Sequence, residues 1–139
     1  MMSNVRNIRD KMPESEKITI NLGYVDLGRI DLLVQEGFYS NRSDFIRTAI
    51  RNQLDTQGDT VSRSIDRHTM ELGLRDYSVT DLEALRAANE VLHVKVVGLA
   101  RIHPDVTPEL ALATIGSITV LGALQASAEV KAALADRIK

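Results

Sequence analysis

The chain has 139 residues, 44% of them hydrophobic, which is enough for one domain or two small ones. It contains no cysteine, so a disulfide framework and a thiolate metal site are both excluded. A formal charge of −2 and a pI near 5.9 exclude a generally basic surface, so any polyanion must be held by local patches.

Residues 1–16 read as a flexible N-terminal arm. Arg6, Arg9 and Lys11 precede no apolar run, so the arm is not a secretory leader, and a cytoplasmic protein is expected. A short strand follows over Lys17–Leu22. Period-two alternation puts Ile18, Ile20 and Leu22 on one face and Lys17, Thr19 and Asn21 on the other. One strand leaves its backbone groups unpaired, and the cheapest second strand is another copy of the same chain.

A first helix is expected over Val25–Glu36, where Leu27, Ile30, Leu33 and Val34 make a helical stripe. Gly37 suits the left-handed residue that ends it. The second helix opens at Ser40-Asn41-Arg42-Ser43, with Ser40 as the expected N-cap, and carries the stripe Phe45, Ile46, Ala49, Ile50 and Leu54. The stretch from Lys17 to Leu54 is too short for an independent core, so two copies must share one.

This arrangement of alternating strand, helix, Gly37-Phe38-Tyr39 turn and polar opening of a second helix resembles the ribbon-helix-helix fold of the MetJ/Arc/CopG DNA-binding regulators. The resemblance runs from the N-terminus to about Leu54. It implies a homodimer whose paired strands enter the major groove of double-stranded DNA. It also implies base contacts from Lys17, Thr19 and Asn21, and phosphate contacts from Ser40, Asn41, Arg42 and Ser43. The strand side chains suit base recognition, since Asn pairs with adenine, Lys donates to guanine, and the Thr methyl touches thymine. Each has a plainer alternative. The strand face could be an ordinary solvated one, the helix opening could serve only as a cap, and Arg42 could pair with an acid across the dimer. Residues 1–54 hold eight Lys/Arg against seven Asp/Glu, and 55–139 hold nine against twelve. Modest affinity per dimer is expected, with several dimers acting on one site.

Residues 55–68 read as a linker, polar through Asp55–Ser64 and able to continue the second helix in part. Beyond it, one fixed shift aligns Val94-Lys95-Val96-Val97-Gly98 with Ile118-Thr119-Val120-Leu121-Gly122. The same shift brings Val106 onto Val130 and Leu110 onto Leu134. One step back places Met70 and Leu72 on strand positions. Helix starts are expected at Thr80-Asp81-Leu82-Glu83, Thr107-Pro108-Glu109 and Ser127-Ala128-Glu129. Residues 69–139 therefore read as a solenoid-like strand–helix repeat with parallel strands, and Gly98 and Gly122 as its tight turns. The last helix has no polar cap after it, which suits self-association to a higher oligomer. A compact ligand-sensing α+β domain is the rival architecture.

From Leu110 to Ala128 no side chain is charged, a length near that of a membrane span. Thr114, Gly116, Ser117, Thr119, Gly122, Gln125 and Ser127 make it a poor one, and no membrane partner is expected. His68, His93 and His103 are scattered, so no metal or other cofactor and no catalytic residues are expected. The reading is an α+β, non-enzymatic, sequence-specific transcriptional regulator. The alternatives are the antitoxin of a toxin–antitoxin pair, against which the folded look of residues 69–139 argues, and a DNA-coating, assembly-forming protein.

Overall fold

The computed structural model describes residues 13–139 and divides into two compact units, one ending at Asp59 and the other running from Thr60 to Lys139. The expected N-terminal arm lies mostly outside the described residues; its last part, 13–16, is exposed and irregular.

In the first unit, α1 spans Tyr24–Gln35 and α2 spans Arg42–Thr56. Both lie where the sequence places a helix, with ends only slightly displaced. Gly37 ends α1 in the left-handed region at φ +85, with Phe38 N–H donating to the Leu33 carbonyl at 3.0 Å, so the expected turn forms. Tyr39 and Phe45 pack edge to face at 5.0 Å and fasten the turn to α2. The α1 stripe is the least exposed side of that helix, yet Ile30 is the only buried residue among those described in this unit. Ile50 and Leu54 of the α2 stripe are exposed.

The segment expected as a linker is helical: α2 is capped at Gln57, and α3 runs from Gly58 to His68. Its polar residues do not oppose a helix, because Asp59 sits in the first turn and Arg67 in the last, where each charge complements the helix dipole.

The second unit is built from β1 (Glu71–Tyr77), α4 (Val79–Ala87), β2 (Leu92–Ile102), α5 (Pro108–Thr114), β3 (Ile115–Gln125) and α6 (Ala128–Ala133), then a 3₁₀ turn over Ala135–Arg137. The strands form a parallel sheet in the order β1-β2-β3. Parallel neighbours require a crossover, and α4 and α5 supply the two. Leu82 of α4, Leu110 and Ala111 of α5 and Val130 of α6 join Val94, Val96, Ala100 and Ile102 of β2 and Ile115 and Ile118 of β3 in one core. The uncharged run from Leu110 to Ala128 is thus helix and strand of this core. Among the described residues no helix is long and apolar enough to cross a membrane.

The repeat shift appears as cross-strand pairing, with Val94 opposite Ile118 and Gly98 opposite Gly122. One step earlier the shift is longer by one, which corrects the expected alignment there. Gly73 lies opposite Gly98, Leu72 opposite Val97, and Met70 precedes the strand. The extra residue is a net difference: α4 and the loop after it, where Asn89 turns at φ +56, are longer than α5 and its direct passage into β3, while the loop ahead of α5 is longer than the one ahead of α4. The helices depart further from a fixed period. The first cap is Ser78 and not the expected Thr80, because Ser78 and Asp81 close a reciprocal capping box. Thr107 and Ser127 cap α5 and α6 as expected, so the caps are unevenly spaced, with the step from Ser78 to Thr107 the longer.

Gly98 and Gly122 lie inside strands and not in tight turns, a further correction. With Gly73 they form a row across the sheet at φ +126, +137 and +118 for positions 73, 98 and 122. A Cβ on Gly98 would fall inside contact distance of the Gly73 carbonyl oxygen and 3.0 Å from its carbon; one on Gly122 would meet the Gly98 carbonyl likewise. Close backbone approach explains Gly98 and Gly122.

Candidate nucleic-acid interface

Lys17, Thr19 and Asn21 are all exposed, in an irregular stretch leading into α1. The alternating apolar residues between them are exposed as well, at 71% for Ile18, 55% for Ile20 and 36% for Leu22. No strand forms over 17–22 within the single chain, since an extended segment becomes a strand only when a neighbour pairs with its backbone. Beside it lies an open apolar groove of about 380 Å³, lined by Ile20, Leu22, Ile30, Leu33, Phe45 and Ile46 with Asp26 and Arg29 at its rim. The unit therefore presents its would-be core to solvent.

The opening of α2 is organised differently from expectation. Asn41 is the N-cap, its side-chain oxygen accepting from Asp44 N–H at 2.8 Å, which corrects the assignment of the cap to Ser40. Ser40 instead donates its backbone N–H to the Asp44 carboxylate at 2.9 Å. The spacing Asn41-x-x-Asp44 carries this arrangement in the sequence, and Asn is as good a cap as Ser. The first helical bond runs from Phe45 N–H to the Asn41 carbonyl, so the amides of Arg42 and Ser43 lie ahead of it at the positive end of the helix dipole.

Arg42 grips Asp31 of α1 in the same chain with two parallel hydrogen bonds, both 2.8 Å. The pair holds the Asp31 carboxyl below the usual aspartate range and raises the guanidinium in turn, in each case chiefly through the hydrogen bond. Both groups are exposed, so the pair orients α1 on α2 more than it stabilises them. Asp31 escaped the sequence reading because it lies off the apolar stripe and far along the chain from Arg42, where no periodicity points.

His93 approaches Ser117 across β2 and β3 at 2.8 Å, and His103 Nδ1 accepts from Asp105 N–H at 3.2 Å. Among the described residues no group of three His, Cys, Asp or Glu side chains is arranged to hold a metal ion.

No curated protein and no solved structure matches the chain. The match to a family profile reaches well past Leu54 and takes in most of both units. Covering residues 13–131, that profile shows that the chain belongs to the ribbon-helix-helix transcriptional regulator family.

Proposed function

We propose that the protein is a sequence-specific DNA-binding regulator that acts as a dimer, with two Lys17–Leu22 segments paired antiparallel and set into the major groove. The observation that carries this reading is the open core of the first unit. Its apolar strand residues, the groove beside them and the outer part of the α2 stripe need a cover, and a second copy brings the same surfaces in complementary order. Pairing of the two segments satisfies their backbones and turns Lys17, Thr19 and Asn21 of both copies outward together on one ribbon.

In this reading the amides of Arg42 and Ser43 clamp a phosphate at the start of α2, with Ser40 and Asn41 shaping the approach. The Arg42 side chain fixes the angle of α2 through Asp31, and its backbone faces the DNA. With the chain carrying net negative charge, single dimers bind weakly, and the folded second unit links dimers into higher oligomers along one site.

The test is titration of a specific and a random duplex at one salt concentration. A bidentate base contact is worth about 1–3 kcal/mol and occurs twice per dimer, so Asn21→Ala and Lys17→Ala weaken the specific duplex far more than the random one. Equal losses on both duplexes would argue against base readout.

A further inference from the structure

We propose that the second units of successive copies join head to tail, the outer edge of β3 in one copy adding to the outer edge of β1 in the next as a parallel pair, with Gly122 opposite Gly73 and Leu121 beside Leu72. The proposal deepens, and rests on, the reading that the second unit links dimers.

Both outer edges are open. Among the described residues β1 pairs with β2 alone. β3 pairs with β2 and, on its other side, meets only the Ile138 bridge at Ile118 among the described residues. There Lys139 N–H donates to the Ile118 carbonyl at 2.8 Å, so that carbonyl points outward. Period-two alternation sends the carbonyls of Val120, Gly122 and Leu124 the same way. Open backbone edges invite a strand, and here the most exposed leucines of the sheet mark them: Leu72 at 64% and Leu121 at 61%.

The row of glycines sets register and identifies the occupant. Within the chain, each glycine on the β3 side of a pair lies against the carbonyl of the glycine before it. Gly73 keeps the same unusual φ, +126, although among the described residues nothing lies within 4 Å of where its Cβ would be. The Gly122 carbonyl of a second copy fits that space with the right alternation, and Gly122 then repeats toward Gly73 what Gly98 already does toward Gly122. In that register Val120–Gln125 of one copy run beside Glu71–Asp76 of the next. The leucines meet in the row that already holds Leu72, Val97 and Leu121 across one sheet. A polar row continues too: Asp76 lies 3.7 Å from Arg101, whose Nε donates to Gln125 at 3.0 Å, and the neighbour's Asp76 would follow Gln125. Two unlike edges joined in parallel make a head-to-tail contact, which extends from copy to copy unless its rotation closes a ring.

A chain without cysteine allows a direct test by cross-linking. Neighbouring strands lie about 4.8 Å apart, within disulfide reach. Leu72 and Leu121 of one copy are separated by β2 and stand roughly twice that distance apart, beyond it. Full-length Leu72→Cys and Leu121→Cys are oxidised separately and mixed, while light scattering follows the mass of the unsubstituted chain with concentration. Expected are a covalent heterodimer in the mixture, at least tenfold more abundant than either homodimer, and a mass that rises with concentration. No excess of heterodimer with a rising mass overturns this junction and leaves the linking of dimers standing. A constant mass, with no cross-link, overturns both.

Discussion

Replacing Gly98 by alanine tests the account of the parallel sheet most sharply. Gly98 sits in the central strand at φ +137, a region that side-chain-bearing residues occupy at a cost of about 1–3 kcal/mol. The added Cβ would also fall inside contact distance of the Gly73 carbonyl oxygen and 3.0 Å from its carbon. Because these are backbone atoms of the paired strand, relief requires β1 to move away, and overpacking of this kind costs about another 1–3 kcal/mol. The sum, roughly 2–6 kcal/mol, is a large share of a small domain's stability. For a unit of this size each kcal/mol lowers the melting temperature by about 4–8 °C, so a drop of at least about 8 °C is expected. Circular dichroism of the full chain during heating reads it, with Gly58→Ala as control. Gly58 starts α3, its Cβ would meet nothing within 4 Å, and alanine there is expected to be neutral or mildly stabilising. A Gly98→Ala chain with an unchanged melting temperature would refute the reasoning, since neither the strain nor the collision could then be real.

On the proposed pairing, Ile20→Lys would place a charge in a core shared by two copies, and the first unit is expected to lose both dimer and helix signal; a folded, dimeric variant would count against the intertwined pairing. Asn41→Ala is expected to cost about 1 kcal/mol through loss of the α2 cap, while Ser40→Ala costs little because its contribution is a backbone N–H; denaturant titration that reversed this order would contradict the capping geometry. Asp31 and Asp81 have carboxyls held below the usual range, by Arg42 in one case and by the Ser78 backbone and hydroxyl in the other. Their folded values lie below their unfolded ones, so the stability they add is present above the ordinary aspartate value, near pH 4, and is lost as pH falls through the folded values. Carboxyl chemical shifts followed by NMR check this, and Arg42→Ala is expected to return Asp31 alone to the ordinary range.

Much of the organisation was legible in residue order because local physics dictates it. The stripe of Leu27, Ile30, Leu33 and Val34 could only be one face of a helix, and Gly37 could only end it in the left-handed region. The recurrence of Val94–Gly98 at Ile118–Gly122 surfaced as two neighbouring parallel strands, since stacking like on like keeps the same residues in the core. What tertiary structure decided was wherever two segments had to fit against each other. The caps at Asn41 and Ser78 are not among these: each is a local contact that the sequence carried, tied to an acid three residues on whose carboxylate reaches back to a backbone N–H ahead of the helix. The first repeat slipped by one residue as the balance of a longer helix and loop after β1 against a longer loop between β2 and α5. Arg42 found Asp31 across two helices, a pairing set by their packing and by no local pattern. The glycines at 73, 98 and 122 were legible only as small residues at a regular interval. At 98 and 122 they acquire their meaning from the carbonyl of the neighbouring strand, which stands where a side chain would otherwise be.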